Sequence, residues 1–294
     1  MLGSEKKPLV LLTGRTGQIG SELEKYLAPI VELTALDRRQ FDLENPDAAR
    51  DIIRRIGPNI IVNAAGYTAV DQAEAEPAKA RAINTEAVKV LAEEAERTGA
   101  LLVHYSTDYV FDGLKDAPYV ESDLANPLSV YGNTKLAGEQ AIQNTGCSYL
   151  VFRTTWIYAA TGKNFVRTIA ALAQQKPELR IVNDQRGAPT SANEVARATL
   201  RVLARAVLPV REIYHMTACG ETTWYRLAHA IVDELKHRKR IAAMLKPVTT
   251  AEYPTLARRP LNSVLSNEKL GKDFEVQMSH WSEALQTTLK QLDL

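Results

Sequence analysis

The sequence predicts an α/β fold in which a doubly wound parallel sheet is joined to a smaller C-terminal lobe. Three observations support this prediction. Short apolar runs alternate with amphipathic segments of helical length in the first half of the chain. A glycine-rich turn follows the first apolar run directly, and polar side chains gather where a later run ends. Ligands bind at such strand ends in open α/β sheets, so the pattern indicates a ligand-binding protein.

The first half of the chain supplies the elements of this sheet. Apolar runs of strand length cover residues 9–13, 31–36, 60–64, 101–106 and 149–153, and we expect them to be fully buried. Segments 18–27, 46–56, 79–98 and 129–144 have the three- and four-residue apolar spacing of helices, as at Ala82, Val88, Leu91 and Ala95. Buried strands that alternate with helices predict a parallel sheet covered on both faces.

The pattern changes after Arg153, where aromatic and polar residues interrupt the alternation. We therefore expect residues 1–155 to form a dinucleotide-binding domain and residues 156–294 to form mostly a smaller substrate-binding lobe. Strands predicted at 179–182 and 212–216 are expected to rejoin the sheet of the first domain. Further helices are predicted at 193–205, 222–236 and 280–292.

Composition narrows the class of partner. The 294 residues include 36 basic and 35 acidic side chains, and this balance argues against electrostatic binding of nucleic acid. The longest apolar runs fall far below the roughly 18 residues that a membrane span needs. The first eight residues lack the apolar core of a signal peptide, and the two cysteines are far apart in sequence. We expect a soluble, cytoplasmic protein that acts on a small molecule.

The glycine-rich turn spans residues 14–20, with the sequence GRTGQIG. In a Rossmann fold, one glycine makes the tight turn, one lets the backbone approach the pyrophosphate, and one allows close helix packing. Gly14, Gly17 and Gly20 have the required order, and the helix that follows offers free N–H groups to phosphates. An ordinary glycine-rich βα turn is the alternative, but the position at the first βα junction favours a dinucleotide site.

The end of the second predicted strand carries the residues that would select the cofactor. An acid about 20 residues beyond the glycines binds the adenosine ribose, whereas a nearby arginine accommodates a 2′-phosphate. Asp37 therefore favours NAD, and Arg38 or Arg39 would permit NADP, although both arginines could equally lie on a solvated turn. Further acidic, apolar or small residues at strand ends could line the cofactor site: Asp42, Leu43, Ala64, Ala65 and Gly66.

A phenol and an ammonium group stand four residues apart at Tyr131 and Lys135, on one face of a predicted helix. A nearby cation favours the phenolate form, so this pair could exchange a proton with an alcohol or ketone beside a nicotinamide. Ser106 and Thr107 end the fourth strand, where their hydroxyls could hold the reacting oxygen. The next two residues could contact substrate or cap the following turn: Asp108 and Tyr109.

The chain resembles the extended short-chain dehydrogenase/reductase family, and within it the reductases of 4-keto sugar nucleotides. The resemblance rests on TGRTGQIG, VNAAGYTAVDQAE, HYSTDYVFDG, YGNTKLAGE, FRTTWIY, NDQRGAPT and RRPLNSVLS. It implies a catalytic triad of Thr107, Tyr131 and Lys135. It implies cofactor contacts at Gly17, Gln18, Ile19, Asp37, Asp42, Leu43, Gly66, Tyr67, Thr68 and Tyr105, and substrate contacts at Thr107, Asp108, Trp156, Asn164 and Arg259.

The resemblance also implies an activity. NADH or NADPH would reduce the 4-keto group of dTDP-4-dehydro-β-L-rhamnose to give dTDP-β-L-rhamnose, with Tyr131 as the proton donor. One alternative is a sugar-nucleotide epimerase or 4,6-dehydratase, but dehydratases have an Asp-Glu pair after the threonine where this chain has Asp108-Tyr109. Another alternative is a non-catalytic regulatory subunit similar to the β subunit of methionine adenosyltransferase.

A metal ion is a further implication of the resemblance. Some members of the family form homodimers bridged by Mg²⁺ through glutamates, and Glu22 and Glu194 stand in comparable places. Residues 291–294, QLDL, supply no further glutamate. We therefore favour exposed helix glutamates over a Mg²⁺ site, and we leave a homodimer as an open alternative.

Overall fold

The computed structural model describes residues 7–237 and 243–292. Its strands are β1 (Leu9–Thr13), β2 (Glu32–Leu36), β3 (Ile60–Asn63), β4 (Leu101–Thr107), β5 (Ser148–Thr154), β6 (Ile157–Tyr158), β7 (Glu178–Val182), β8 (Arg186–Gly187), β9 (Thr190–Ser191), β10 (Arg211–His215), β11 (Thr222–Thr223) and β12 (Met244–Val248). Its helices are α1 (Gln18–Leu27), α2 (Pro46–Ile56), α3 (Val70–Ala75), α4 (Pro77–Arg81), α5 (Ala87–Thr98), α6 (Val130–Thr145), α7 (Phe165–Gln175), α8 (Ala192–Arg205), α9 (Trp224–His237), α10 (Glu268–Phe274) and α11 (Trp281–Gln291).

A parallel sheet lies at the centre, and within the described ranges it has six strands in the order β10-β5-β4-β3-β1-β2. The chain passes from β1 to β2 on one side and then to β3 on the other side of β1. This reversal opens a crevice beyond the carboxyl end of β1. The predicted doubly wound α/β fold is confirmed, and the strand expected at 212–216 does join this sheet, as β10 beside β5.

Both faces of the sheet are covered because the strands alternate their side chains between two apolar layers. On β1, Val10 and Leu12 pack in the layer that contains α1 and α8, whereas Leu11 packs in the layer that contains α2 and α5. The expectation of full burial is wrong for β2, whose residues are half-buried or exposed. β2 is an edge strand, so one of its sides lacks the cover that a central strand has.

One of the strands predicted after residue 155 pairs differently from the expectation. β7 pairs with β12 in a separate two-stranded parallel sheet, so the expected return of residues 179–182 to the central sheet is wrong. This small sheet and the helices α7, α9 and α11 share an apolar core that includes Val166, Ile169, Leu227, Ile231 and Leu285. Residues 222–223, expected to begin a helix, form β11 before α9 starts.

Two short turns interrupt the regular elements near the sheet edge. A π-helical turn, Ala82–Glu86, joins α4 to α5 within the segment predicted as one helix, and a 3₁₀ turn, Asp108–Val110, follows β4. α6 begins one residue later than predicted because Ser129 is its cap, with Oγ accepting from the Gly132 amide at 3.1 Å. Along the described ranges, no helix is long and apolar enough to cross a membrane, and the cytoplasmic location stays a prediction.

Candidate active site

A cleft of about 930 Å³ opens at the carboxyl ends of the central strands. Its wall combines the β1–α1 turn, the ends of β3 and β4, one face of α6 and a segment after β5. Most predicted site residues lie on this wall: Gly14, Gly17, Gln18, Ile19, Arg38, Asp42, Leu43, Ala64, Ala65, Gly66, Tyr67, Thr68, Tyr105, Thr107, Asp108, Tyr109, Tyr131, Lys135, Trp156, Asn164 and Arg259. Gly20 and Asp37 lie outside the lining.

The β1–α1 turn fits the phosphates of a dinucleotide. Gly14 has a φ of +75°, and a Cβ there would lie 2.7 Å from the Ala65 amide nitrogen. A Cβ on Gly20 would lie 2.0 Å from the Gly14 carbonyl oxygen, so Gly20 allows α1 to pack on the turn. Gly17 caps α1 without a side-chain hydrogen bond from the described residues, which leaves the first-turn amides available to a phosphate.

Asp37 and Arg38, the two residues that could select the cofactor, differ in their position relative to the cleft. The Asp37 carboxylate accepts hydrogen bonds from the backbone amides of Arg39, at 2.8 Å, and Gln40, at 3.1 Å. It therefore shapes its own turn, while Arg38 lines the cleft and pairs with Glu44 at 2.5 Å. The lining at this end of the cleft therefore includes Arg38 and Asp42 but not Asp37.

Thr107, Tyr131 and Lys135 line the same cleft where β4 ends beside α6. Burial raises the pKa of Tyr131 to about 12, and the opposing influence is a hydrogen bond with Thr107, which lowers it. Burial also lowers the pKa of Lys135 to about 8, against the charge of Glu139, which raises it. The phenol therefore holds its proton at neutral pH, whereas the ammonium can lose its proton only slightly above neutrality.

The sequence left two roles open for Asp108, substrate contact or capping of the next turn, and the structure adds a set of buried hydrogen bonds. Its carboxylate is buried, and it accepts hydrogen bonds from the hydroxyls of Thr107, at 3.0 Å, and Thr155, at 2.7 Å. Burial raises the pKa of Asp108 to about 6, although these hydrogen bonds lower it. The Thr107 hydroxyl also accepts from the Tyr109 amide at 3.2 Å, so Thr107 caps the 3₁₀ turn, whereas Asp108 and Tyr109 lie within the turn and line the cleft.

A strained tryptophan forms part of the opposite wall. Trp156 has a φ of +45°, which is unfavourable for a bulky side chain and is typical of functional sites. Its ring stacks on Trp224 with centroids 3.5 Å apart. A Cβ on Gly187 would lie 2.5 Å from the Trp156 ring, so the glycine makes room for it. Trp224 lines the cleft, yet no motif pointed to it, because it lies in a different segment that packs on Trp156.

The two weaker substrate candidates have different surroundings. The amide of Asn164 is engaged: its Nδ2 donates to the Ala159 carbonyl at 2.9 Å, and its Oδ1 accepts from the Arg167 amide at 3.1 Å. Arg259 pairs with Asp71 at 2.6 Å, and its buried Nε has no hydrogen-bond partner among the described residues. Arg259 therefore keeps a free donor beside the cleft, whereas Asn164 shapes the loop before α7.

The π-helical turn supports the floor of the site, and sequence reasoning missed it. The Asn84 side chain accepts from the Tyr67 amide at 2.9 Å and donates to the Tyr67 carbonyl at 3.0 Å. A Cβ on Gly138 would lie 2.2 Å from the Asn84 carbonyl oxygen, so α6 packs closely on this turn. Two sequence features could have indicated this turn. They are an asparagine on an apolar helical face and a glycine within α6.

The two glutamates considered for Mg²⁺ are both less exposed than predicted, and the choice against Mg²⁺ stays a prediction. Glu22 is buried rather than exposed as predicted, since its Oε1 pairs with Lys25 at 2.6 Å and its Oε2 accepts from Asn193 at 2.8 Å. Both Glu22 oxygens thus have N–H partners within this chain. Glu194 is half-buried, not exposed, and its buried Oε2 has no hydrogen-bond partner among the described residues. Among the described residues, no group of three or more His, Cys, Asp or Glu could hold a metal ion.

The fold and the meeting of Thr107, Tyr131 and Lys135 beside a dinucleotide-type turn define an extended short-chain dehydrogenase/reductase. The sequence profile of the RmlD substrate binding domain family matches residues 8–294. The chain belongs to this family.

Relatives and solved structures agree with this assignment. A dTDP-4-dehydrorhamnose reductase of Burkholderia thailandensis is 44% identical over 96% of this chain and 98% of that protein. The crystal structure of a Clostridium acetobutylicum dTDP-4-dehydrorhamnose reductase is similar with a TM-score of 0.90 and 36% identity, over 97% of this chain and 100% of that chain. A Bacillus anthracis dTDP-4-dehydrorhamnose reductase in complex with NADP has a TM-score of 0.91 and 31% identity, over 97% and 99%.

Proposed function

We propose that the protein uses a nicotinamide cofactor to reduce the 4-keto group of dTDP-4-dehydro-β-L-rhamnose and forms dTDP-β-L-rhamnose. The observation that carries this proposal is the group of buried Thr107 and Lys135 and half-buried Tyr131 at the wall of a dinucleotide-type cleft. Relatives that cover nearly the whole chain at 44% and 43% identity are dTDP-4-dehydrorhamnose reductases, which supports the substrate.

The chain's own residues have distinct proposed roles in this reaction. When bound, the reduced nicotinamide supplies a hydride to the carbonyl carbon. Tyr131 keeps its proton at neutral pH and donates it to the carbonyl oxygen as negative charge develops there. Thr107, which hydrogen-bonds to the phenol and to Asp108, holds Tyr131 and the oxygen in line. The ammonium form of Lys135 stabilises the phenolate that Tyr131 leaves behind.

The remaining wall residues divide between cofactor and sugar nucleotide. We propose that residues 1–155 and strand β10 hold the cofactor, with the amides after Gly17 on its phosphates. Residues 156–294 would mostly hold the substrate, where the stacked pair of Trp156 and Trp224 offers an aromatic face. Arg259 would donate its free Nε–H to the diphosphate.

Arg38 supports acceptance of NADPH as well as NADH. It lines the cleft at the end of β2, where a 2′-phosphate on the adenosine ribose would lie. Asp37, the residue expected to select NADH, lies outside the cleft lining, and its Oδ1 is engaged by its own turn. We therefore propose that both cofactors work and that NADPH binds through Arg38. A homodimer stays a prediction.

Replacement of Tyr131 by Phe tests the proposed function. The ring is retained, so cofactor binding measured by fluorescence titration should stay within about threefold of wild type. Turnover should fall by about 10²–10⁴, because the variant lacks the acid that protonates the product oxygen. Tyr225→Phe is the matched control, since Tyr225 lies on α9 outside the cleft lining. Full turnover by Tyr131→Phe would contradict the role of Tyr131 as the proton donor and with it the proposed function.

A further inference from the structure

A chain of buried polar side chains runs through the central sheet to Lys135. The Thr13 hydroxyl donates to Asn63 Oδ1 at 2.7 Å, and Asn63 Nδ2 lies 3.0 Å from His104 Nδ1. His104 Nε2 lies 3.2 Å from Lys135 Nζ. All these side chains are buried, and Asn63 and His104 are 0% exposed. Polar groups at such depth are costly unless they are paired, so each contact has a defined donor and acceptor.

The orientation of the Asn63 amide follows from a backbone group. The Ala65 amide donates to Asn63 Oδ1 at 3.3 Å, and a backbone N–H can only donate. The oxygen must therefore face Ala65 and Thr13, and the Asn63 NH₂ group must face His104 Nδ1. Since the NH₂ group is a donor, Nδ1 has to be the acceptor in this contact.

The imidazole tautomer follows from this orientation. Burial lowers the pKa of His104 well below its ordinary range, and the charge of Lys135 acts in the same direction, so the ring is neutral. With Nδ1 as acceptor, the ring hydrogen resides on Nε2 and points at Lys135 Nζ. An ammonium carries donors only and would meet this N–H unfavourably. A neutral amine can accept it, so this contact favours the uncharged form of Lys135.

Other groups near Lys135 act in both directions. Nζ donates to the Tyr105 carbonyl at 2.5 Å, a contact open to either form of the lysine. Glu139, one turn further along α6, favours the ammonium, but it is paired with Arg153 at 2.7 Å. Other titratable groups at this end of α6 are Tyr131 on the helix, Asp108 and Tyr109 on the 3₁₀ turn, and Glu74 on α3, whose Oε1 accepts from the Val130 amide at 2.8 Å.

We propose that His104 is a positioning residue that sets the protonation state of Lys135 through this fixed tautomer. The consequence for catalysis rests on the proposed function. Tyr131 gives its proton to the substrate oxygen, the Lys135 ammonium gives a proton to the resulting phenolate, and the amine regains one from water. By disfavouring the ammonium, His104 makes this transfer easier at neutral pH.

Direct titration of Lys135 tests the proposal without turnover. Protein labelled with [¹³Cε]lysine gives a resonance for Lys135 that is identified by its loss in Lys135→Met. In His104→Gln, the amide oxygen can accept from the ammonium, so we expect the titration midpoint to rise by at least about one pH unit, a tenfold gain in proton affinity. The pH profile of kcat should move to higher pH by a similar amount.

His215→Gln is the matched control, because His215 is fully buried on β10 of the same sheet and lies outside the cleft lining. Its Lys135 midpoint should equal that of wild type. Asn63→Asp is a second test should His104→Gln fail to fold. A carboxylate would accept from Nδ1–H and free the Nε2 lone pair for the ammonium, and its charge acts in the same direction, so the midpoint should rise further.

An unchanged Lys135 midpoint in whichever of these folded variants is obtained would overturn the proposal. The wild-type protein could lack reductase activity while the Lys135 midpoint still rises in these variants. That result would support the role of His104 and contradict the proposed function. The two claims therefore fail separately.

Discussion

The adjacent residues Asp37 and Arg38 illustrate what a sequence motif leaves open at the residue scale. Spacing from the glycines placed both at the adenosine end of a cofactor, and their charges suggested opposite preferences. The difference arises from the turn itself, where the amides of Arg39 and Gln40 both donate to Asp37 Oδ1. Such local competition between a side chain and its own backbone cannot be read from spacing alone.

Arg38→Ala should separate the two cofactors. A 2′-phosphate gains charge-assisted hydrogen bonds from the guanidinium, which NADH does not use. We expect the KM for NADPH to rise about tenfold, corresponding to about 1.4 kcal/mol, with a much smaller change for NADH. Arg39→Ala is the control, since Arg39 is exposed and outside the cleft lining. Equal changes for both cofactors would contradict this role.

Asp108 should make stability depend on pH. Burial raises its pKa from 3.8 to about 6, so the folded protein binds this proton more tightly than the unfolded chain. The stabilising contribution is fully present below about pH 4 and is lost as the pH rises through about 6. Asp108→Asn removes this loss, so its free energy of unfolding relative to wild type should increase by about 3 kcal/mol between pH 4 and pH 8.

Urea unfolding at several pH values measures this difference. The direction of the change with pH tests the prediction most directly. If folding stabilised the carboxylate form of Asp108, the free energy of unfolding of Asp108→Asn relative to wild type would decrease with rising pH. A difference that stays constant from pH 4 to pH 8 would show that the carboxyl does not titrate as its burial implies.

At the scale of elements, the π-helical turn was the clearest failure of pattern reading. Apolar spacing over residues 79–98 predicted one helix, and the helix does exist on both sides of the turn. The interruption follows from packing, because Asn84 turns its side chain to the backbone of Tyr67 and its carbonyl lies against α6. Periodicity reports which face is buried and does not report what lies opposite it.

Gly138→Ala tests the close approach of α6 to this turn. The added methyl would lie 2.2 Å from the Asn84 carbonyl oxygen, so the helix must shift and stability should fall by about 1–3 kcal/mol. Gly271→Ala on α10 is the matched control, since its nearest neighbour would be at 3.6 Å. That control should gain up to about 1 kcal/mol from helix propensity. Two equally stable variants would argue against tight packing at Gly138.

At the scale of the whole molecule, the features that depend on order along the chain could be predicted from the sequence. Alternation of strands and helices placed the glycine turn, Thr107 and the Tyr131–Lys135 pair at the same edge of the sheet. Contacts between distant segments could not be predicted in this way. The pairing of β7 with β12, the stack of Trp156 on Trp224 and the ion pair of Asp71 with Arg259 each depend on how the second lobe docks.

The most direct test of the proposed reaction is to identify its product. Purified protein is mixed with dTDP-4-dehydro-L-rhamnose and either NADPH or NADH, and the sugar nucleotide is identified by NMR while absorbance reports cofactor oxidation. We predict one dTDP-L-rhamnose for each cofactor oxidised, with both cofactors accepted. An unreduced or epimerised sugar, while the protein still binds the cofactor, would contradict the proposed reaction.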